Sequence, residues 1–564
     1  MKKVIPVIVA IALIIIVVGV SFGKEIYDKY SYGQDWEDLN EYYTIISKDQ
    51  VPIVLNSAIV PESGKEIDGA LYFDYDTICE YFTGRFYIDL NENLLLYTNP
   101  ETTFVTEIGT DVYSDGTEEK TFPSVIALTK GDTLYIAVDY VKKFVNFSYE
   151  RFEDPLRMVI YTEWDATKYA DINKETKVRK KGGVKALILC DIAEGDTVEI
   201  LEPMDEWTKV MTHDGFIGYV ENKRLTNERE ETPVAVTDVP EETFTSLRRD
   251  HKINLTWHNM EYPQGGAELR TAMNYVESVN VVSPTWFYLT DNDGNFKSLG
   301  NTDYVNAAHN MGAEVWALIS NFHSGVDVST LEVLSYTSKR KALIDSLVAT
   351  TLSFGADGIN LDFENMDSAT TYHFVQFVRE LSLECHKNNL VLSVDNYVPT
   401  EYTAHYNRRE QGLFADYLII MGYDEHYAGS PVAGSVSSIP WMQKGIEDTV
   451  ALVGAEKVIN AVPFYTRVWK ETDGEVKSEA IDMKVQADFI ARNGLTTTWN
   501  EETYQNYGEF ESGGTNYKIW LEDTDSLSVR LNVMETLNIA GIASWCLGQE
   551  TPDVWPLISA YMQR

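Results

Sequence analysis

The sequence predicts a multidomain chain: a C-terminal (β/α)8 (TIM) barrel over residues 250–564, two small β-rich units before it, and an N-terminal transmembrane helix. Three observations carry this. After residue 250, apolar strand-like runs alternate with helix-sized stretches, the texture of βα units around a parallel sheet. Between residues 51 and 226, short alternating runs are broken by Gly, Asn and Asp. And Lys2 and Lys3 are followed by the uncharged run "VIPVIVAIALIIIVVGVSFG". A chain of 564 residues is in any case too long for one ordinary core.

Taken in order, residues 1–23 are long enough at about 1.5 Å per residue to cross a hydrocarbon layer of about 30 Å. The basic start places everything after Lys24 outside the cell, as a single-pass membrane protein. A cleaved signal peptide followed by secretion is the alternative, against which the long apolar core and the lack of an A-x-A site count. Residues 24–50 are charged and Tyr-rich and read as a stem. Residues 51–165 are β-rich, with short helices expected over Asp74–Phe82 and Val138–Phe144. Their pattern resembles the stalk domain found at the amino terminus of copper amine oxidases; with no His cluster of metal-ligand spacing in it, copper is not implied.

Residues 175–226 contain about five short strands divided by Gly and Asp turns. Val178, Arg179, Gly195, Asp196, Val198, Trp207, Val210, Gly215 and the closing "GYV" resemble a bacterial SH3-like domain. Such domains bind cell-wall peptides or serve as spacers, and the sequence leaves both open. Residues 227–245, "NEREETPVAVTDVPEETFT", read as a linker.

Composition excludes some partners. With 46 basic against 87 acidic residues, the net charge of -41 repels phosphate backbones, so nucleic acid is not expected. The four cysteines, Cys79, Cys190, Cys385 and Cys546, are far apart and supply neither a zinc ribbon nor a disulfide framework. No metal or organic cofactor is expected.

The barrel rests on eight runs: "INLTWHNM", "VNVVSPTWFYL", "EVWALISNF", "GINLDFEN", "LVLSVDNYV", "DYLIIMGYDEH", "KVINAVPFYTRVW" and "GIASWCLG". Helices are expected over Thr337–Phe354 and Ala369–Asn388. An open doubly wound sheet would want a Gly-rich phosphate turn after its first strand, and "HNMEYPQGG" does not supply one.

Chemistry concentrates in the fourth run. Read with period two, Asn360, Asp362 and Glu364 share one face of "GINLDFE", and Glu364 lies nearest the carboxyl-terminal rim where barrel active sites sit. Two carboxylates on an inward face are costly unless used, and their repulsion raises the affinity of one for a proton, as a general acid requires. A buried polar network that merely fills the barrel is the structural alternative.

"DGINLDFE" closely resembles the D-x-x-D-x-D-x-E signature of glycoside hydrolase family 18, the chitinase-like barrels. The resemblance makes Glu364 the proton donor and Asp362 the residue that orients the substrate's 2-acetamido group, in a retaining, substrate-assisted mechanism. Asp357 matches the first signature position, a structural anchor at the strand's start by the resemblance, and is also counted among the substrate-binding candidates. Asn360 departs from the commoner Asp; an amide cannot share a proton with Asp362, and the N-x-D-x-E form resembles the spore cortex-lytic and bacterial cell-wall glucosaminidase branch. "MGYDEH" implies Tyr423 on the acetamido carbonyl, with Met421 and Asp424 in the sugar-binding wall. "VPFYTRVW" offers Tyr465 and Arg467, and "GIASWCLGQE" places Trp545 under the sugar. Asn321 is a further pocket candidate, Trp257 and Trp286 are left open between pocket and core, and Glu550 between substrate contact and a capping or solvent role. The implied partner is an N-acetylglucosamine-containing polysaccharide, peptidoglycan or chitin-like, cleaved at β-1,4 bonds. A catalytically silent carbohydrate-binding protein on the same barrel is the alternative.

Overall fold

The structure, a computed structural model, describes residues 5–564, so the expected basic pair Lys2 and Lys3 lies outside the described residues. Helix Ile5–Tyr30 contains one window, Ile8–Glu25, long and apolar enough to cross a membrane, with mean hydropathy 2.2. It continues into the segment read as a stem. The rest of that segment is not a free spacer: Tyr43 is buried and donates through its hydroxyl to the Gly215 carbonyl (2.9 Å), with Phe216 and the Arg157 guanidinium against its ring.

The chain divides into two compact units, the first comprising residues up to Phe86 and Thr106–Glu241. In it, a seven-stranded sheet is ordered Ser148–Phe152, Arg157–Tyr161, Gln50–Leu55, Ala58–Ile67, Ala70–Asp74, Thr133–Ala137, Ala127–Lys130. Helix Tyr75–Tyr81 begins where the Asp74 side chain accepts the Thr77 N–H (2.8 Å), a cap legible as "DYDT". The second expected helix is shorter than its pattern, Val138–Val141.

A second seven-stranded sheet is ordered Ile188–Ile192, Thr176–Arg179, Ile217–Glu221, Trp207–Thr212, Thr197–Pro203, Thr167–Ile172, Leu225–Glu231. It therefore extends past both expected limits, 175 and 226. Strand Leu225–Glu231 is polar after Leu225, which packs on the core of this sheet, and is held by backbone pairing to Thr167–Ile172, so it has no apolar stripe to mark it in the sequence.

The second unit comprises Tyr87–Val105 and Glu242–Arg564. Its centre is a closed barrel of eight parallel strands: β1 (Ile253–His258), β2 (Val281–Pro284), β3 (Glu314–Ser320), β4 (Gly358–Asp362), β5 (Val391–Tyr397), β6 (Tyr417–Met421), β7 (Val458–Pro463) and β8 (Gly541–Trp545). Strand β8 closes on β1 with Ile253 beside Gly541. A Cβ at Gly541 would lie 2.1 Å from the Ile253 carbonyl oxygen, so only glycine admits this closure. Alternate residues fill the two sides of the strands. Ile253, Leu255, Trp257, Trp316, Leu318 and Ile419 pack inside the barrel, while Ile359, Leu361 and Phe363 meet the surrounding helices.

Helix Thr337–Phe354 has the expected bounds, and Ser368–Lys387 is within one residue of them. The seventh run does not continue as one strand. The chain leaves the barrel after Pro463, and Tyr465–Thr472 joins an antiparallel sheet with Glu475–Asp482, Thr515–Trp520, Gln505–Ser512 and Thr498–Asn500, an insertion between β7 and β8.

The segment Tyr87–Val105 is part of the barrel body. Helix Thr337–Phe354 has no side-chain cap of its own. Instead Asp89 accepts the Thr337 N–H (2.7 Å) and Glu92 the Ser338 N–H (2.8 Å), placing carboxylates on the free donors of its first turn. Arg340, fully buried, pairs with Glu380 (2.9 and 3.0 Å) and donates to the Tyr87 hydroxyl (2.9 Å). That hydroxyl in turn meets His373 Nδ1 at 2.5 Å. Burial and the adjacent Arg340 lower the His373 pKa to about 4, so its ring is neutral and accepts this proton.

Candidate active site

A cleft of about 270 Å³ opens at the carboxyl-terminal end of the barrel strands, lined by Trp257, Phe322, Asp362, Glu364, Asp395, Tyr397, Met421, Tyr423, Asp424, Tyr465 and Trp545. No Lys, Arg or His lines it among the described residues. Among the same residues, no cluster of His, Cys, Asp and Glu is arranged to hold a metal ion.

Glu364 lies two residues past the end of β4, half-buried at the rim. Asn321, at the end of β3, clamps its backbone: its amide donates to the Glu364 carbonyl (2.9 Å) and its carbonyl accepts the Glu364 N–H (2.9 Å). Asn321 thus aims the acid from behind and is absent from the cleft wall. The Tyr397 hydroxyl donates to Glu364 Oε2 (2.7 Å). Burial raises the Glu364 pKa, the Tyr397 hydrogen bond opposes this, and Asp424 adds to the rise. Tyr397→Phe removes the one favourable contact to the ionised form. The alkaline limb of a pH–rate profile is then expected to move to higher pH, with the acid limb in place; a limb that stays put would show that another group sets it.

Asp362 is buried, and its Oδ1 has no hydrogen-bond partner. Its pKa lies well above the usual carboxylate range, first through burial and then through the charges of Glu364 and Asp395. Beneath it, Asn360 is wholly enclosed. Its carbonyl oxygen accepts from Trp257 Nε1 (2.8 Å) and Ser283 Oγ (3.1 Å), and its amide donates to Ser393 Oγ (3.0 Å) and Asp395 Oδ1 (2.8 Å). Across the cleft, the Tyr465 hydroxyl donates to Asp424 Oδ1 (2.7 Å). The Tyr423 hydroxyl is pushed well up by burial, by Tyr465 and by the three carboxyl groups. The Trp545 ring lies 5.8 Å from that of Trp257.

Of the residues singled out in the sequence, Glu364, Asp362, Tyr423, Met421, Asp424, Tyr465 and Trp545 meet in this cleft. Asn360 lies directly below it. Besides Asn321, two more residues expected to bind substrate lie away from the cleft wall. Asp357 lies at the opposite end of β4, about 16 Å from Asp362 at about 3.3 Å per residue. There its carboxylate accepts the Val315 N–H and meets His309 Nε2, both at 2.8 Å, and ties β4 to β3. Arg467 sits on the inserted sheet and donates to Ser478 (3.0 Å), because the chain has left the barrel before reaching it. Trp257 belongs to the cleft, whereas Trp286 is core, packed on Tyr304 and Phe354. Glu550 is fully buried and accepts the Gly548 N–H (2.7 Å), which excludes a solvent role.

Sequence reading missed Asp395, Tyr397 and Phe322. For the first two the signal was present: in "SVDNY", Ser393, Asp395 and Tyr397 alternate as Asn360, Asp362 and Glu364 do. Phe322 lies on the loop after β3, half exposed, where no periodicity operates.

Paired acidic side chains on neighbouring strands of a (β/α)8 barrel, facing aromatic walls without a cation, have the form of a glycoside hydrolase site. Residues 287–550 match the family model for glycosyl hydrolases family 18, and the chain carries a domain of that family. The match starts after β1 and β2, which the structure adds to the barrel.

Relatives agree. The chain is 26% identical over 267 residues to the "Uncharacterized glycosylase YvbX" of Bacillus subtilis (strain 168), covering 43% of this chain and 74% of that protein. It is 26% identical over 240 residues to the "Cortical fragment-lytic enzyme" of the same organism, covering 40% of this chain. It spans only 54% of that second relative's length. The crystal structure of a chitinase from Chromobacterium violaceum ATCC 12472 superposes with a TM-score of 0.50 at 21% identity. It covers 56% of this chain and 99% of the other, a likeness of fold.

Proposed function

We propose that the protein is a membrane-anchored extracellular glycosidase that cleaves β-1,4 bonds at N-acetylglucosamine residues of peptidoglycan or a chitin-like polysaccharide, with retention and by substrate assistance. The observation that carries this reading is a rim acid, Glu364, held by Tyr397 beside a buried Asp362 whose Oδ1 lacks a partner. Burial raises the Glu364 pKa and so favours the protonated form that donates to the glycosidic oxygen. As the anomeric carbon–oxygen bond breaks, the acetamido oxygen bonds to that carbon. Asp362 accepts the acetamido N–H, and the Tyr423 hydroxyl donates to the acetamido oxygen. Water then attacks the same carbon as its bond to the acetamido oxygen breaks, which restores the acetamido group, and gives its proton to the Glu364 carboxylate.

The apolar helix serves as the anchor, residues 51–165 as a stalk similar to that of copper amine oxidases, and the second sheet as an SH3-like module that either binds the wall or acts as a spacer. The relative named as a cortical fragment-lytic enzyme favours a wall glycan.

The test uses the full-length chain in detergent, with peptidoglycan, N-acetylglucosamine oligomers and their de-N-acetylated forms side by side. Release of reducing ends from the acetylated substrates and none from the de-N-acetylated ones is expected. Equal turnover of both would overturn substrate assistance. Binding without turnover of any would favour a carbohydrate-binding protein.

A further inference from the structure

We propose that Asp395 is a positioning residue of the cleavage site: from strand β5 it supplies the second carboxyl group that shares one proton with Asp362, the part the Asn360 amide cannot play. The inference rests on the reading of Asp362 and Glu364 given above.

The orientation of Asn360 starts the argument. The Trp257 indole N–H can only donate, so the oxygen of Asn360 must face it, and the amide hydrogens must face Ser393 and Asp395. Two donors and two acceptor positions are all used, and none reaches Asp362. The oxygen Asp395 Oδ1, an acceptor here, is fixed by this contact. The parallel register of β4 and β5 pairs Asn360 with Ser393 and Leu361 with Val394, and its next step sets Asp362 beside Asp395. Both point inward, on strands about 4.8 Å apart. Asn360 therefore works as a bracket that aims Asp395 at its neighbour.

The charge balance requires such a partner. Asp362 is 8% and Asp395 3% exposed, and Glu364 stands at the rim above them. Among the described residues, the titratable side chains facing this group are Tyr397 on β5, Tyr406 after it, Tyr423 and Asp424 after β6, and Tyr465 after β7. The cation behind β5, Arg408, spends its guanidinium on the Thr403 and Tyr397 carbonyls (both 2.8 Å). With no counter-charge, neighbouring buried carboxyl groups are stable when one proton lies between them. The monoanion so formed leaves Asp362 able to accept the acetamido N–H without loading the cleft with a second negative charge.

The experiment compares the full-length wild type, Asp395→Asn, and the exchange variant Asn360→Asp/Asp395→Asn, which swaps acid and amide between the two strands. Asp395→Asn keeps an acceptor for the Asn360 amide, so folding is preserved. Its kcat on an N-acetylglucosamine oligomer is expected to fall by about tenfold or more, with KM little changed, and the exchange variant is expected to recover most of the loss.

A second readout needs no turnover. A carboxyl group whose pKa is raised by folding stabilises fully below its unfolded pKa, and that contribution is lost as pH rises through the folded one. The wild-type thermal midpoint of the barrel should therefore fall between pH 5 and pH 8, and fall less in Asp395→Asn. An unchanged pH dependence in Asp395→Asn overturns the proposal, as does a folded exchange variant that stays as slow as the single one. If the wild type itself turns nothing over, the functional reading fails while the thermal comparison still decides the role of Asp395.

Discussion

Glu364→Gln is expected to reduce turnover of an N-acetylglucosamine oligomer by at least about two orders of magnitude, the scale of a general acid. Gln keeps the size of the side chain and can still accept from the Tyr397 hydroxyl, so the Asn321 clamp on the backbone and the hydrogen bond at the rim both persist. What disappears is the proton. Substrate affinity, measured on the same variant by titration calorimetry, should stay within a few-fold of wild type, because the cleft lining of Tyr423, Tyr465 and Trp545 is untouched. Turnover by Glu364→Gln at the wild-type rate would remove Glu364 from the chemistry altogether.

The largest expected effect on stability lies at Arg530. Its guanidinium is buried and pairs with Glu522 (2.7 and 3.0 Å), which also accepts from Gln505 (2.7 Å). Burial raises the Glu522 pKa to about 7 even though Arg530 pulls it down. Arg530→Met leaves that carboxyl without its counter-charge and should cost about 3–5 kcal/mol. The sign with pH follows. The folded protein holds the Glu522 proton above the pH at which the unfolded chain releases it, so the deficit of Arg530→Met grows as pH rises from 5 to 8. Thermal midpoints of the barrel at the two pH values check this, and adding Glu522→Gln should restore much of the loss. Arg530 also donates to Ser437 Oγ (2.6 Å), and Ser437 donates to the Gly422 carbonyl (2.6 Å), next to Tyr423. A rise in KM is expected to accompany the loss of stability.

Legibility in the sequence followed burial and periodicity. The eight strands were readable because each alternates or runs apolar between inner and outer cores, and "GINLDFE" was readable because its polar residues break that apolar rule on one face. Asp395 obeys the same rule and could have been found by it. The inserted sheet was not readable: Tyr465–Thr472 continues the apolar texture of β7, and the break at Phe464 is fixed by a tertiary contact, its N–H donating to the Trp545 carbonyl (2.8 Å). Strand direction already sets Asp357 at the start of β4, away from the rim, and its bonds to Val315 and His309 give it a structural place there. The edge strand Leu225–Glu231 carries no apolar stripe, and only its pairing defines it.

The carboxylates of Asp89 and Glu92 on the first turn of helix Thr337–Phe354 have a consequence for how the molecule can be cut. The stretch that carries them lies far upstream of the catalytic strands, yet it belongs to the same folded body. A protease that severs the chain once between residues 231 and 245 therefore separates the peptide without freeing the barrel. The N-terminal fragment still grips it through Asp89, Glu92 and the hydroxyl of Tyr87 on Arg340. Shedding needs those contacts undone as well, so a cut in the linker is not by itself a release.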